Sequence, residues 1–163
     1  MAHITNYEWA PAFQPNKNHI FLVVLVDGAF RHPFIIDDWE GQIKCKELLD
    51  SLIKLDKEYR SMLKDLMKLL MQYDKEDRRV TDLASSLHEE GILWEIKGDH
   101  ATDLSERENC YGQSIVEGNN CGTCKLGRLF AQKNDNENAK YWIQEAAIIC
   151  PDAEKYLDQY GLR

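Results

Sequence analysis

The stretch from Cys45 to Tyr73, CKELLDSLIKLDKEYRSMLKDLMKLLMQY, constrains this chain more than any other. Leu48, Leu52, Leu55, Tyr59, Met62, Leu66, Leu69 and Tyr73 recur at alternating spacings of four and three, a heptad seam. Leu49, Ile53, Leu63, Met67 and Leu70 widen it on one side. No Gly or Pro interrupts the run, and most of its residues are good helix formers. The spacing predicts one helix of roughly 40 Å at 1.5 Å per residue. Asp37 followed three residues later by Glu40 places a helix start just upstream, with Gly41 as a weak point. Asp50 to Lys54 and Asp56 to Arg60 are favourable i, i+4 pairs on the outer face.

Ahead of this helix, Pro11, Pro15 and three Asn in residues 1–18 predict an irregular arm, with Tyr7, Trp9 and Phe13 laid back on the body. Ile20 to Val26 is β-branched and apolar, Asp27-Gly28 is a favoured two-residue turn, and Ala29 to Ile36 is a second strand. Pro33 confines that second strand to an edge. A hairpin alone is marginal, so this one has to pack on helices.

After the charged connector Asp74-Lys75-Glu76-Asp77, Val80, Leu83, Ala84, Leu87, Gly91 and Trp94 mark a second helix. A short connection makes it antiparallel to the first, and Gly98 is expected to end it in the left-handed conformation. HEEGILWEIKGD (88–99) then matches CKLGRLFAQKND (124–135) at a constant offset of 36. Gly91 aligns with Gly127, Trp94 with Phe130, Lys97 with Lys133 and Asp99 with Asp135. The glycines are expected to let a neighbouring helix approach, and the aromatics to fill the space between helices.

Leu126-Gly127-x-x-Phe130 followed by Ala139-x-x-Trp142-x-x-x-Ala146-Ala147, then Pro151-Asp152-Ala153 and Tyr156-Leu157, resembles the tetratricopeptide and Sel1-like helical repeats. The likeness covers roughly residues 80–163. Asp103 and Cys110 depart from it, standing where the family has small alanines. It implies stacked antiparallel helix pairs and a protein-binding scaffold, and it names no partner.

These readings combine into a mainly α protein of antiparallel helical hairpins with a repeat-like C-terminal half and a small N-terminal β-hairpin. The length of 163 residues suits one domain: an arm and hairpin over 1–36, a long helical hairpin over 37–97 and repeat-like helices over 98–163. The longest apolar run, Ile20 to Val26, is far short of a membrane span. No basic-then-apolar leader opens the sequence, which leads to the expectation of a cytoplasmic protein with reduced thiols.

The charge of -8 is uneven. Lys44 to Tyr73 carries seven bases and five acids, whereas residues 74–163 carry eleven bases and eighteen acids. That balance argues against nucleic acid, which needs a basic face, and favours a basic protein partner. Moderate acidity also serves solubility alone. Glu89, Glu90, Glu95, Asp99 and Asp103, beside Trp94, are the candidate partner-binding residues.

Two chemical alternatives reside in the five cysteines. Cys121-Gly122-Thr123-Cys124 has the spacing of a thiol redox site at a helix start, but the loop Glu117-Gly118-Asn119-Asn120 stands where a strand should precede it. Cys110, Cys121, Cys124 and either Cys150 or His100 number enough for a structural zinc, with no second closely spaced pair. At the repeat positions Cys124 and Cys150 instead suit small buried residues. The histidines are scattered, without a partnered nucleophile. The expected function is therefore non-enzymatic and cofactor-free: an adaptor, or a neutralising immunity-type protein covering a basic partner. The alternatives are a thiol-redox or zinc protein using Cys121 and Cys124, and a structural subunit that self-associates through the heptad stripe.

Overall fold

The computed structural model describes residues 2–14, 17–55 and 57–163. It divides into two compact units, Met1–His88 and Glu89–Arg163, so the boundary falls inside the 37–97 segment. The mainly α architecture with a small N-terminal sheet is as the sequence implies.

Unit 1 opens with a three-stranded antiparallel meander: β1 (Ile4–Gln14), β2 (Lys17–Val26) and β3 (Phe30–Ile35). The arm expected to be irregular is thus a full strand. Its Pro11 pairs opposite Ile20 on an outer strand, where a missing N–H is tolerated. Tyr7 and Trp9 are half-buried, as their spacing suggests, whereas the side chains of Phe13 and Pro15 lie outside the described residues. Asp27 (φ 53°) and Gly28 (φ 73°) form the β2–β3 turn, closed by Ala29 N donating to Val26 O at 3.2 Å. Two consecutive left-handed residues match the twist of the flanking strands. Pro33 does sit on an edge strand, opposite Val23.

The long helix is broken in two, α1 (Trp39–Ile53) and α2 (Tyr59–Tyr73). The break passes through Leu55 at φ 55°, an exposed non-glycine residue in the left-handed region. The two halves pack against each other, α1 also on β1 and α2 also on β3. Their buried faces are Gly41, Cys45, Leu49 and Leu52 in α1 and Leu63, Leu66, Met67 and Leu70 in α2. The heptad seam is therefore rotated: residues that seemed to widen it form its centre, while Leu48, Met62 and Leu69 are only half-buried. Folding back lets both apolar stripes share one core with the sheet; a straight helix would carry half its stripe past it. The i, i+4 pair from Asp56 to Arg60 lies outside the described residues, and Asp50 instead accepts from the Tyr7 hydroxyl at 2.6 Å.

The α1 cap is Asp38, whose carboxylate accepts from Gly41 N at 2.9 Å. Asp37, the expected cap, holds the end of the sheet, accepting from Ile20 N at 2.9 Å with His19 Nδ1 at 2.7 Å. The Ile20 and His19 contacts lower its pKa. Asp38 also takes a hydrogen bond from Tyr73 at the far end of α2, which pushes the phenol up to about 12. Gly41 is where the Tyr73 hydroxyl lies against α1, so the glycine that looked like a weak point makes room for this tie.

The second helix is likewise divided. Helix α3 (Arg78–Leu87) buries Val80, Leu83, Ala84 and Leu87 and ends at His88, φ 56°. Asp74 Oδ2 caps it, accepting from Arg79 N at 2.7 Å and Val80 N at 3.0 Å.

Unit 2 is helical: α4 (Glu90–His100), α5 (Leu104–Val116), α6 (Cys121–Gln132), α7 (Asn136–Ile149), a 3-10 turn at Pro151–Glu154 and α8 (Lys155–Gln159). Helix α4 packs with α5, α6 with α7, and α5 with α6. The core gathers Tyr111, Leu126, Leu129, Phe130, Ala139, Ile143, Leu157 and Leu162. Helix α4 runs past Gly98, which is not the expected left-handed end. A Cβ at Gly98 would meet the Tyr111 ring at 2.5 Å, so this glycine admits a ring from α5. Asp103 caps α5, accepting from Ser105 N at 3.2 Å. At the equivalent junction Asn134 (φ 62°) ends α6 and Asp135 caps α7, accepting from Asn138 N at 3.3 Å.

Candidate functional site

The polar chemistry of unit 2 converges where α4, α5 and α6 meet. Glu95 and Asp99 are one helical turn apart on α4, and Lys125 of α6 reaches both. Its ammonium lies 3.0 Å from Glu95 Oε2, and 2.7 and 2.6 Å from Asp99 Oδ1 and Oδ2. The Tyr111 hydroxyl donates to Asp99 Oδ1 at 2.7 Å; burial is the larger reason its pKa is raised, the Asp99 bond the next. Glu95 is only 4% exposed. Its Oε1 accepts from Asn119 Nδ2 at 2.9 Å. The same amide lies 2.9 Å from Ser114 Oγ, which donates to Gly91 O at 2.5 Å. A buried carboxylate is tolerated only when paired and hydrogen-bonded, and here both conditions are met.

This changes the standing of the partner-binding candidates. Glu95 is buried, and Asp99, 26% exposed, is paired with Lys125 and Tyr111, so neither is a free surface carboxylate. Asp103 is exposed but acts as a helix cap, and Glu89 and Glu90 are half-buried at the start of α4. Trp94 is half-buried with Lys97 Nζ 5.0 Å from its ring.

Beside this cluster lies an open cavity of about 180 Å³ whose wall includes Asp99, Arg107, Tyr111, Lys125 and Arg128, together with Leu129 and Gln132. Arg107 Nε donates to Ala101 O at 2.5 Å. Arg128 Nε donates to the Tyr160 hydroxyl at 3.4 Å, and its guanidinium stacks 4.7 Å from the Tyr156 ring. The Tyr160 bond is the largest cause raising the Arg128 pKa. None of Lys125, Arg107, Arg128, Asn119 or Tyr111 stands out in the sequence as a site residue. The available signal is three bases inside helices of an acidic half, two of them one turn apart on α6.

The thiols do not assemble into a centre. All five are free, with Cys45 and Cys110 buried, Cys121 and Cys150 exposed and Cys124 half-buried. Among the described residues, no group of three or more His, Cys, Asp or Glu side chains is placed to hold a metal ion. That leaves Cys110, Cys121, Cys124 and Cys150, with His100, without the common site the zinc alternative needs. Cys121 opens α6, as a redox thiol would, but burial pushes the Cys124 thiol up rather than down. Also among the described residues, no helix is long and apolar enough to cross a membrane. Comparison with protein-family models, curated proteins and solved structures gave no match.

Proposed function

We propose that this protein is a non-enzymatic protein-binding scaffold, with unit 2 a short helical-pair repeat similar to tetratricopeptide and Sel1-like units. The observation that carries the reading is a contact made twice. At the offset of 36, Lys97 lies 5.0 Å from the Trp94 ring on α4, and Lys133 lies 5.5 Å from the Phe130 ring on α6. The aligned glycines also both serve close approach: a Cβ at Gly91 would meet Asn119 Cβ at 2.6 Å, and one at Gly127 would meet Ile143 Cγ1 at 2.7 Å. Helix pairs built on one plan offer a continuous surface for another protein. The net charge of -8 favours a basic partner, as an adaptor or a neutralising protein would have.

The test is capture of the partner from native lysate, followed by reconstitution from purified components. A basic partner, associating more slowly as salt rises, is the expected result. The combination Glu89→Gln, Glu90→Gln and Asp103→Asn should slow association further; Asn keeps the α5 cap while removing its charge. An acidic partner, or association indifferent to salt and to these changes, would contradict the basic-partner reading.

A further inference from the structure

We propose that the cavity between α4, α5 and α6 is a binding site for a phosphate group, held by the guanidinium forks of Arg107 and Arg128. Each arginine is anchored through one N–H, Arg107 by the Ala101 carbonyl and Arg128 by the Tyr160 hydroxyl. A guanidinium has five N–H donors, so each retains four on its terminal nitrogens. Neither is ion-paired with a carboxylate among the described residues. Both are half-buried, and Arg128 is further fixed against the Tyr156 ring. Half-buried, pre-positioned guanidinium groups without a counter-anion favour an anionic ligand, because little freedom is lost on binding.

The surroundings decide its class. The wall carries three cations and one carboxylate, in a half of the chain where acids outnumber bases. That carboxylate, Asp99, is already engaged by Lys125 and Tyr111. A volume of about 180 Å³ is below the roughly 300–1,000 Å³ of a drug-sized pocket, so it suits a small ion or the end group of a larger ligand. Two forks approaching from different walls can each engage a separate pair of oxygens on a phosphate, whereas on one carboxylate they would have to share the same two oxygens. This site does not depend on the protein-binding reading and is tested apart from it.

The test is an NMR titration of the full chain with inorganic phosphate at constant ionic strength, following the Nε–H resonances of Arg107 and Arg128. Both should shift and saturate. Arg107→Gln and Arg128→Gln should each weaken binding by roughly tenfold or more, the scale of a lost charge-assisted hydrogen bond. Arg128→Lys, which keeps the charge and loses the fork, should also weaken it, with the remaining amide spectrum preserved. Phosphoserine as a second probe separates the sources: tighter binding than inorganic phosphate supports an esterified phosphate, weaker binding the free ion. Absence of saturable shifts, equal binding by the Arg107→Gln/Arg128→Gln double variant read from its backbone amide resonances, or acetate binding as tightly as phosphate would each overturn the proposal.

Discussion

The two units hold themselves together differently. Among the described residues, most of the large, fully buried apolar side chains lie in unit 1, with Ile96 and Ile143 their counterparts in unit 2. The buried polar side chains, Glu95, Ser114, Asn119 and Thr123, all lie in unit 2. Unit 1 is a sheet and three helices closed over Leu, Val, Ile, Phe and Met. Unit 2 joins short helices through small residues, a mixed aliphatic and aromatic core and a charge network around Lys125. Apolar burial tolerates imprecision, whereas a buried carboxylate requires every partner in place. Unit 2 is therefore where the loss of one polar partner should be felt by the rest of its network, and it also holds the cavity and the paired helices.

The largest expected effect is in unit 1. Leu66 is fully buried, and Leu66→Asp would place an unpaired charge in an apolar core, costing more than about 4 kcal/mol. Chemical denaturation should show unit 1 no longer cooperatively folded; an unchanged midpoint would remove Leu66 from the core. Next comes Lys125→Met, which leaves Glu95 buried without its cation. Breaking a fully buried pair costs roughly 3–5 kcal/mol. Lys125 keeps 27% of its side chain exposed, so about 2–3 kcal/mol is the better expectation. Gly98→Ala is smaller, about 1–3 kcal/mol, because the added methyl meets the edge of the Tyr111 ring, which has to shift. A thermal melt more stable than wild type would mean that helix propensity outweighs that contact.

The last effect is confined to alkaline pH. Burial pushes the Cys45 thiol up to about 12, above its value in the unfolded chain. Stability from keeping it neutral is fully present below the unfolded thiol pKa of about 8.5 and is lost as pH rises toward 12. Denaturation midpoints for unit 1 should fall over that window, and Cys45→Ala should flatten the fall.

How much was legible follows the range of the interactions. The Asp27-Gly28 turn, edge-bound Pro33, the apolar face of α3 and the close-approach glycines Gly91 and Gly127 are local features, and they stand as the spacing implies. The breaks at Leu55 and His88 are not legible, because leucine rarely adopts positive φ and the helical pattern runs on through both, although histidine adopts it more often than most residues. Strand β1 was obscured by Pro11, which an outer strand accepts. The site was the least legible part. Glu95 is buried only because Asn119 and Lys125, 24 and 30 positions further on, fold onto it, and nothing near Glu95 signals that.

The central claim is that the units differ in what stabilises them, and two buried cysteines report on it directly. Cys45 sits in unit 1 and Cys110 in unit 2. Pulsed alkylation across a urea series, with modified cysteines mapped by mass spectrometry, reads each opening separately. Exposed Cys150 serves as the internal control. The account expects Cys110 to become reactive at lower urea than Cys45, and Lys125→Met to move the Cys110 midpoint while leaving that of Cys45 in place. Coincident midpoints for the two thiols, shifting together in the variant, would contradict it.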